Sequence, residues 1–393
     1  MNVVDLVLVL AIVAFALIGW KRGFLYGIFG LVGFLIGAGL GLWLTPRLIG
    51  SWEPGLGRAV VAVVLVFLFA IVGQVGIGYF GKRMKDAVTW RPAVMLDSSL
   101  GAILSVVSML LVVWLVATVA VSSGRNEVAR EVRTSYVLGV VDGLVPDSAS
   151  NATGQIQALV DNAGFPAVFA GLGPEPVRPI AKPDAAIIRR QGVVSAAANT
   201  LKISGVANGC SRGLEGSGFA FAAERVITNA HVVAAVDRPT VFVAGDTRAY
   251  QARVVYFDPQ DDLAVLDVPG LPVEPLPIGM QVARGQNVAV VGYPNDGPLT
   301  AEPGRVRNVL LARGHDIYGS GSVVREVISM RVAVRPGNSG GPVLNGAGQV
   351  VGVVFAASAD DPDTGYAMTM KQVSDAIAAG VSAQDPVSTG ACA

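Results

Sequence analysis

The chain is poor in histidine, cysteine and charged side chains. Of its 393 residues only two are histidine and two are cysteine, and 15% are charged. Histidines and cysteines this few and this widely spaced do not form a ligand set, so we expect no metal and no cofactor. The net charge is zero and no long basic run occurs, which excludes the usual pattern of a nucleic-acid-binding protein.

Apolar residues, by contrast, make up 52% of the chain, and their excess is concentrated in residues 1–124. Four stretches there carry no charged side chain: 6–20, 23–46, 59–81 and 98–124. The last three exceed the roughly 20 residues that span a bilayer. The first has Asp5 before it and Lys21 after it, whereas a signal peptide has a basic start and a small-residue cleavage site. We therefore predict a four-helix transmembrane module over 1–124; the alternative is a set of buried helices in a soluble protein.

Lysine and arginine are unevenly distributed among the loops of this module. The loops after the first and third stretches contain Lys21, Arg22, Lys82, Arg83, Lys85 and Arg91, and the loop after the second contains Arg47 and Arg58. Because basic loops stay cytoplasmic, both termini are predicted to lie outside the cytoplasm. We expect a multi-pass protein of the cell (inner) membrane whose C-terminal part is periplasmic or extracellular. Arg125, Arg130 and Arg133 oppose this orientation weakly.

Residues 125–184 connect the membrane module to the rest of the chain. Apolar spacing predicts a helix over 125–144 and a second, short helix over 148–163. Residues 171–183 are rich in proline and glycine and are predicted to form an extended linker. The remaining residues, 185–393, form the third region.

A serine flanked by glycines is the most informative motif of that region. Residues 337–342 read Gly-Asn-Ser-Gly-Gly-Pro, downstream of Thr-Asn-Ala-His-Val-Val at 228–233. The glycines let the backbone turn the N–H groups of Gly337 and Ser339 toward one point, which predicts an oxyanion hole. Ser339 is predicted to be the nucleophile and His231 the general base that takes its proton.

A carboxylate between these motifs completes the triad. Asp258, Asp261 and Asp262 precede the apolar run 263–266. Asp262 is predicted to orient His231, because the strand begins directly after it. The side chain of Asp261 would point to the opposite face of a strand, and Asp258 precedes a proline and is typical of a turn. The order His, Asp, Ser is that of chymotrypsin-type enzymes.

With Gly-Ser-Gly-Phe at 216–219, these motifs resemble the trypsin-like domain of HtrA-type serine proteases over 185–393. The resemblance implies an all-β, chymotrypsin-like double β-barrel, six strands in each barrel, with the site between them. HtrA-type proteins usually carry a PDZ domain after the protease. Here the residues after Ser339 are needed to finish the second barrel, so PDZ-based substrate capture is not expected.

The N-terminal module has a different resemblance. Asp5 opens the first helix, and Gly33, Gly37 and Gly41 recur at four-residue spacing in the second. Small residues on one face favour close helix packing, either within the module, which we prefer, or in a homodimer. This arrangement is similar to the colicin V production protein family. The combination with a PDZ-less protease resembles the membrane-anchored periplasmic serine proteases of mycobacteria that act in acid resistance.

Cys210 and Cys392 bracket the third region. In an oxidising compartment they are expected to form one disulfide, the alternative being two free thiols. His315, in a polar loop, is interpreted as a surface residue, with a pH-sensing or subsite role as the alternative.

Three residues are predicted to line the pocket that receives the substrate side chain. Ala333 takes the position of the pocket base, so a strong preference for Arg or Lys is not expected. Phe355 and Ala356 are predicted to form an apolar wall.

These expectations define a membrane-anchored serine endopeptidase that acts on envelope or secreted proteins in acid and envelope stress. Its expected partners are protein substrates and the lipid bilayer, with no nucleic acid and a monomer as the default state. One alternative is an inactive, protease-like binding or chaperone domain. Another is a transporter or sensor module with an accessory protease, which the lack of charge within the four stretches disfavours.

Overall fold

The computed structural model describes residues 2–49, 56–121, 131–145, 168–169, 175–207, 212–279, 281–319 and 322–392. The chain divides into two compact units. The first comprises Met1–Val116 with Ser135–Val141, and the second comprises Ala117–Thr134 with Asp142–Ala393. The predicted helix over 148–163 lies outside the described residues.

Long apolar helices build the first unit. They are α1 (Val3–Arg22), α2 (Phe24–Ile49), α3 (Leu56–Ala87) and α4 (Arg91–Val121), and a short helix, α5 (Tyr136–Leu144), follows them. Among the described residues, three segments are long and apolar enough to cross a membrane: Val3–Arg22, Phe24–Thr45 and Arg91–Thr118. The predicted third span, in α3, is not among them, so a count of four spans stays a prediction.

Glycines bring α2 and α3 into close contact. A Cβ atom on Gly33 would overlap the carbonyl of Gly73, and one on Gly37 would overlap the carbonyl of Phe69. Only glycine allows two helix backbones to approach this closely. The glycine spacing of α2 therefore serves packing within the module, as the sequence analysis preferred.

Asp5 joins α5 to the start of α1. Its carboxylate forms a capping box with Asn2 and accepts hydrogen bonds from the Ser135 hydroxyl at 2.7 Å and the Val137 amide at 3.1 Å. The carboxylate thus satisfies N-terminal amides of two helices at once.

In the second unit a 3₁₀ turn (Ala185–Arg189) and α6 (Gln191–Ala197) precede a seven-stranded sheet. The strands are β1 (Thr200–Ala207), β2 (Arg212–Ala222), β3 (Arg225–Thr228), β4 (Thr240–Val243), β5 (Ala249–Gln251), β6 (Arg253–Asp258) and β7 (Leu263–Asp267). All pair antiparallel, in the order β5-β4-β1-β2-β3-β7-β6.

The sheet has seven strands, not the six expected, because Ala252 interrupts one long strand. Its amide donates to the carbonyl of Pro239 at 2.9 Å. The resulting pieces, β5 and β6, are the two edges of the sheet, although one residue separates them in the chain. The sheet must therefore curl until its edges meet at this corner.

The remaining strands form a closed, six-stranded barrel in the order β10-β13-β12-β11-β8-β9. They are β8 (Asn287–Gly292), β9 (Thr300–Gly314), β10 (Val323–Arg331), β11 (Pro342–Leu344), β12 (Val350–Ala357) and β13 (Thr364–Thr369), and α8 (Met370–Ser382) follows. Alternate side chains of β8 face opposite sides: Val288 and Val290 join one apolar cluster, and Ala289 and Val291 another.

A shared apolar core joins the sheet to the barrel. Phe219, Ile227 and Val265 of the sheet lie in one buried cluster with Phe355 and Tyr366 of the barrel. We call this cluster the shared core. It fixes the sheet against the barrel and so fixes the loops that both contribute at their junction.

Residues 175–184, predicted to be a linker, are extended but docked on the barrel. The Tyr366 hydroxyl donates to the Glu175 carboxylate at 2.8 Å, and Arg307 donates to the Arg178 carbonyl at 2.7 Å. Arg331 donates to the Ile180 carbonyl at 3.0 Å. The stretch is extended, as the sequence predicted, and in addition barrel arginines bind its carbonyl groups. We call residues 175–184 the docked segment.

Candidate active site

His231 and Asp262 form a hydrogen-bonded pair at one end of the neighbouring strands β3 and β7. A short helix, α7 (Ala230–Val233), follows β3 and carries the histidine, and β7 begins directly after the aspartate. The His231 Nδ1 atom lies 2.8 Å from Asp262 Oδ2, and the His231 amide donates to Asp262 Oδ1 at 2.9 Å. The Asp262 side chain is completely buried. Such a carboxylate fixes the imidazole ring and its tautomer.

The turn before β7 gives the three candidate aspartates different environments. Asp262 itself has a left-handed backbone, with φ of 56°, and its carbonyl accepts from the Asn229 side chain at 2.8 Å. Asp258 accepts from the amides of Gln260 and Asp261 at 2.8 and 3.1 Å, as a turn residue does. Burial raises the pKa of Asp261, and the charge of Asp258 adds to this shift. Of these three aspartates, Asp262 is the one hydrogen-bonded to His231.

Ser339 lies in the loop before β11, against the sheet. Its carbonyl accepts from the Ser217 amide at 2.7 Å. The next residue, Gly340, has φ of 81°, and a Cβ there would overlap the Ser217 carbonyl and the Thr228 hydroxyl. The loop therefore needs glycine at 340 both for its backbone and for its approach to the strand that leads to His231.

The hydrogen bond between serine and histidine is not formed. Ser339 Oγ and His231 Nε2 are both buried, and neither has a hydrogen-bond partner among the residues that the structure describes. Catalytic hydrogen bonds are often long before substrate binds, so these two atoms remain available for proton transfer.

Ser217 connects the loop that carries Ser339 to the sheet, a role that was not predicted from the sequence. Its hydroxyl donates to the Gly337 carbonyl at 2.6 Å and accepts from the Tyr293 amide at 3.0 Å. Its carbonyl accepts from the Thr228 hydroxyl at 2.8 Å. The residue is completely buried, so every one of these bonds replaces water. The signal that could have revealed this role was the Gly-Ser-Gly spacing at 216–218.

Gly337 occupies the third position of a tight turn. The Asn338 amide donates to the Arg335 carbonyl at 3.0 Å, Pro336 is the second residue, and Gly337 has φ of 91°. Proline followed by a residue with positive φ is the signature of a type II turn. In this turn the Gly337 N–H takes no part in the closing hydrogen bond, which fits its predicted role as an oxyanion donor.

The residues predicted for the substrate pocket differ in exposure. Phe355 and Ala356 are completely buried in the shared core, and Ala333 is half-buried. Their assignment to the pocket stays a prediction.

The interpretation of His315 as a surface residue is wrong, because only 6% of it is exposed. Its loop is drawn inward by Ile317, which packs under α7 against Ala230 and Ala234. The Ile317 amide also donates to the Pro259 carbonyl at 3.1 Å. The apolar residue two positions along was the signal that could have revealed this burial.

The C-terminal tail runs along the sheet. The Ala235 amide donates to the Thr389 carbonyl at 3.0 Å, and the Val387 amide donates to the Val254 carbonyl at 2.9 Å. Cys392 follows in this tail, whereas Cys210 lies outside the described residues. Within the described part of the chain no group of three or more metal-binding side chains occurs.

Family models match both parts of the chain. The trypsin-like peptidase domain matches residues 216–353, and the colicin V production protein matches residues 4–146. The first match contains His231, Asp262 and Ser339. The second includes the helices of the first unit from Val4 onward.

Individual relatives extend this similarity. Serine protease Rv3671c of Mycobacterium tuberculosis is 37% identical over 389 residues, covering 98% of this chain and 97% of the relative. The Arabidopsis thaliana chloroplastic protease Do-like 1 is 31% identical over 166 residues, covering 40% of this chain and 37% of that protein. The crystal structure of the active form of the Rv3671c protease matches with a TM-score of 0.54 and 41% identity. It covers 57% of this chain and 99% of the crystallised one.

Proposed function

The chain belongs to the family of trypsin-like serine proteases that includes Rv3671c, and from this premise we propose a membrane-anchored endopeptidase with His231, Asp262 and Ser339 as its catalytic residues. The observation that carries the assignment is the buried Asp262 carboxylate 2.8 Å from His231 Nδ1. Ser339 adds the nucleophile, on a loop that Ser217 holds against the same sheet.

The reaction follows from these positions. Ser339 Oγ attacks the scissile carbonyl while His231 Nε2 takes the hydroxyl proton, and Asp262 stabilises the imidazolium that forms. The N–H groups of Gly337 and Ser339 bind the oxyanion of the tetrahedral intermediate. His231 then gives the proton to the leaving amine, and the acyl-enzyme remains. A water molecule, deprotonated by His231, hydrolyses the acyl-enzyme and restores Ser339.

We place the protease outside the cytoplasm, on four membrane helices. The support is the asymmetry of Lys and Arg between the loops, together with the apolar character of α1, α2 and α4. Fusing alkaline phosphatase or green fluorescent protein after residue 184 distinguishes the two orientations. Phosphatase activity without fluorescence is expected, and fluorescence without phosphatase activity would reverse the assignment.

The proposed substrates are envelope or secreted proteins, and the proposed role is survival of acid and envelope stress. The position of the protease supports the substrate class, and the resemblance to mycobacterial periplasmic proteases supports the role. Ala333 supplies no carboxylate at the pocket base, which argues against a strong preference for Arg or Lys. A monomer is sufficient for this chemistry, because one chain supplies all the proposed catalytic groups.

A disulfide between Cys210 and Cys392 completes the proposal. It is supported by the path of the tail along the sheet, by the oxidising compartment proposed for the domain, and by the lack of a free cysteine among the described residues.

Fluorophosphonate labelling of the full chain in detergent micelles tests the catalytic assignment. The wild type should be labelled at Ser339, identified by peptide mass spectrometry, and should cleave fluorescent casein. Ser339→Ala and His231→Ala should abolish both signals, and Ser374→Ala, at an exposed serine of α8, should retain them. A folded wild type that is neither labelled nor active would favour the rival function, an inactive binding or chaperone domain.

A further inference from the structure

Arg325 is a buried cation to which the mechanism above gives no role. It lies on β10, and only 1% of the residue is exposed. Among the described residues it is the largest of the fully buried side chains. Removing a guanidinium from water is costly unless hydrogen bonds and opposite charges replace the hydration. The partners of Arg325 therefore indicate what this charge does.

Its hydrogen bonds go to backbone carbonyls near the active site. Nε donates to the Gln260 carbonyl at 2.9 Å, and Nη2 donates to the same oxygen. Nη2 also donates to the His315 carbonyl at 3.0 Å. Gln260 lies in the turn between β6 and β7, two residues before Asp262. The guanidinium thus connects a strand of the barrel to the turn that carries the catalytic carboxylate.

The charges around Arg325 lead to the same residue. Burial lowers the pKa of Arg325, and the negative charges that oppose this effect come, strongest first, from Asp262, Asp261, Asp316 and Asp258. Asp262 is thus the carboxylate whose charge Arg325 balances most.

We propose that Arg325 is a positioning residue of the protease: it fixes the turn that presents Asp262 to His231. The proposal deepens the proposed function and rests on the same triad. Arg325 does not touch the reacting atoms and acts through Asp262.

The backbone of Asp262 shows why the position of this turn matters. Asp262 holds a left-handed backbone conformation, which persists only where surrounding contacts impose it, and the bond to Gln260 is such a contact. Without it the carboxylate leaves its place and kcat falls.

The experiment measures kcat and KM of peptide hydrolysis for the full chain in detergent micelles. Arg325→Met removes charge and hydrogen bonds while keeping an unbranched side chain. It should lower kcat at least about tenfold with KM nearly unchanged, as misplacement of a catalytic group does.

Arg325→Lys keeps the charge without the forked hydrogen bonds. It should restore only part of the kcat, and it keeps the test valid even where the methionine variant does not fold. Arg307→Met is the matched control, since Arg307 is also a buried arginine of the same barrel but binds the docked segment. It should lower the melting temperature and leave kcat near the wild-type value.

A folded Arg325→Met protein with the kcat of Arg307→Met would overturn the proposal, as would Arg325→Lys with full kcat. Ser339→Ala, assayed in parallel, separates failure of the Arg325 proposal from failure of the proposed function. If it abolishes hydrolysis, such a result removes only the role of Arg325; if it leaves hydrolysis intact, both proposals fail.

Discussion

The Asn295 amide donates to the Pro336 carbonyl at 2.7 Å, and this bond fixes the orientation of the peptide group between Pro336 and Gly337. A trans peptide places its C=O and N–H on opposite sides, so the Gly337 N–H points away from Asn295. Asn295 and Asp296 both have left-handed backbones, with φ of 53° and 58°, and Asp296 forms an ion pair with Lys202. Strained residues thus hold the predicted oxyanion donor in place.

Gly337→Ala should inactivate the enzyme without unfolding it. Alanine at φ of 91° is strained, and its Cβ would overlap the Tyr293 carbonyl, so the peptide must turn and the N–H is lost from the oxyanion hole. We expect kcat to fall about 10²–10³-fold. Gly245→Ala is the control, because Gly245 has φ of 78° with open space around it. Equal activity of the two variants would remove Gly337 from the oxyanion hole.

Ser217→Ala should lower kcat more than it raises KM. The change leaves the buried Gly337 carbonyl and Tyr293 amide without their common partner, and it should destabilise the fold by about 1–3 kcal/mol. Chemical denaturation gives the stability, and peptide hydrolysis gives the rates. A stability loss with unchanged kcat would show that Ser217 supports the fold alone.

Asp262→Asn should lower kcat by about four orders of magnitude, because the amide favours the wrong histidine tautomer. Asp261→Asn is the matched control on the neighbouring residue, and we expect it to stay within about tenfold of wild type. The assay is single-turnover cleavage of an ester substrate. The reverse ranking of the two variants would assign the orienting role to Asp261.

The docked segment should be held more firmly in acid. Burial raises the pKa of Glu175 above its ordinary 4.5, so the docked state binds a proton more readily than the undocked state. The stabilising contribution of protonation is complete below pH 4.5 and is lost as the pH rises through the raised pKa. Hydrogen-exchange protection factors of residues 175–184, corrected for the intrinsic exchange rate at each pH, measure the effect, and Glu175→Gln should remove most of their pH dependence. Lower protection in acid than at neutral pH would contradict the assignment.

Reduction should destabilise the protease domain if Cys210 and Cys392 pair. A disulfide that closes so long a loop contributes about 4–5 kcal/mol on the chain-entropy model. Peptide mass spectrometry of exported protein under non-reducing conditions reports the bond directly. Two free thiols would refute the pairing, whereas Cys392→Ser should reproduce the effect of reduction.

The sequence predicted the parts of this molecule that depend on local chemistry. The motifs around Ser339 and His231 identified a serine protease, and the choice of Asp262 placed a carboxylate beside the histidine. The docking of residues 175–184 was not predicted, because its contacts are long-range: arginines of the barrel bind the carbonyl groups of the segment. The composition of the segment reveals only its proline and glycine content. Arg325 was missed for a related reason, since a charged residue in a strand predicts exposure unless its distant partners are known.

The predicted count of six strands was wrong for the first β-structure, because the break in its strand leaves almost no signal in the sequence. Ala252 turns its amide toward Pro239, and an alanine gives no indication of a break in a strand. The closed second barrel follows the expected alternation of side chains.

The shared core has a consequence for cooperativity. Phe219 and Ile227 of the sheet lie in one buried cluster with Phe355 and Tyr366 of the barrel, in addition to the apolar cluster that each β-structure has of its own. Separating the sheet from the barrel would therefore expose apolar side chains of both. The sheet supplies His231 and Asp262, and the barrel supplies Ser339. We expect sheet and barrel to melt in one calorimetric transition, with enzymatic activity disappearing at the same temperature rather than before it. Fragments that split the chain between β7 and β8 would each expose their side of the shared core, and neither would carry all three proposed catalytic residues.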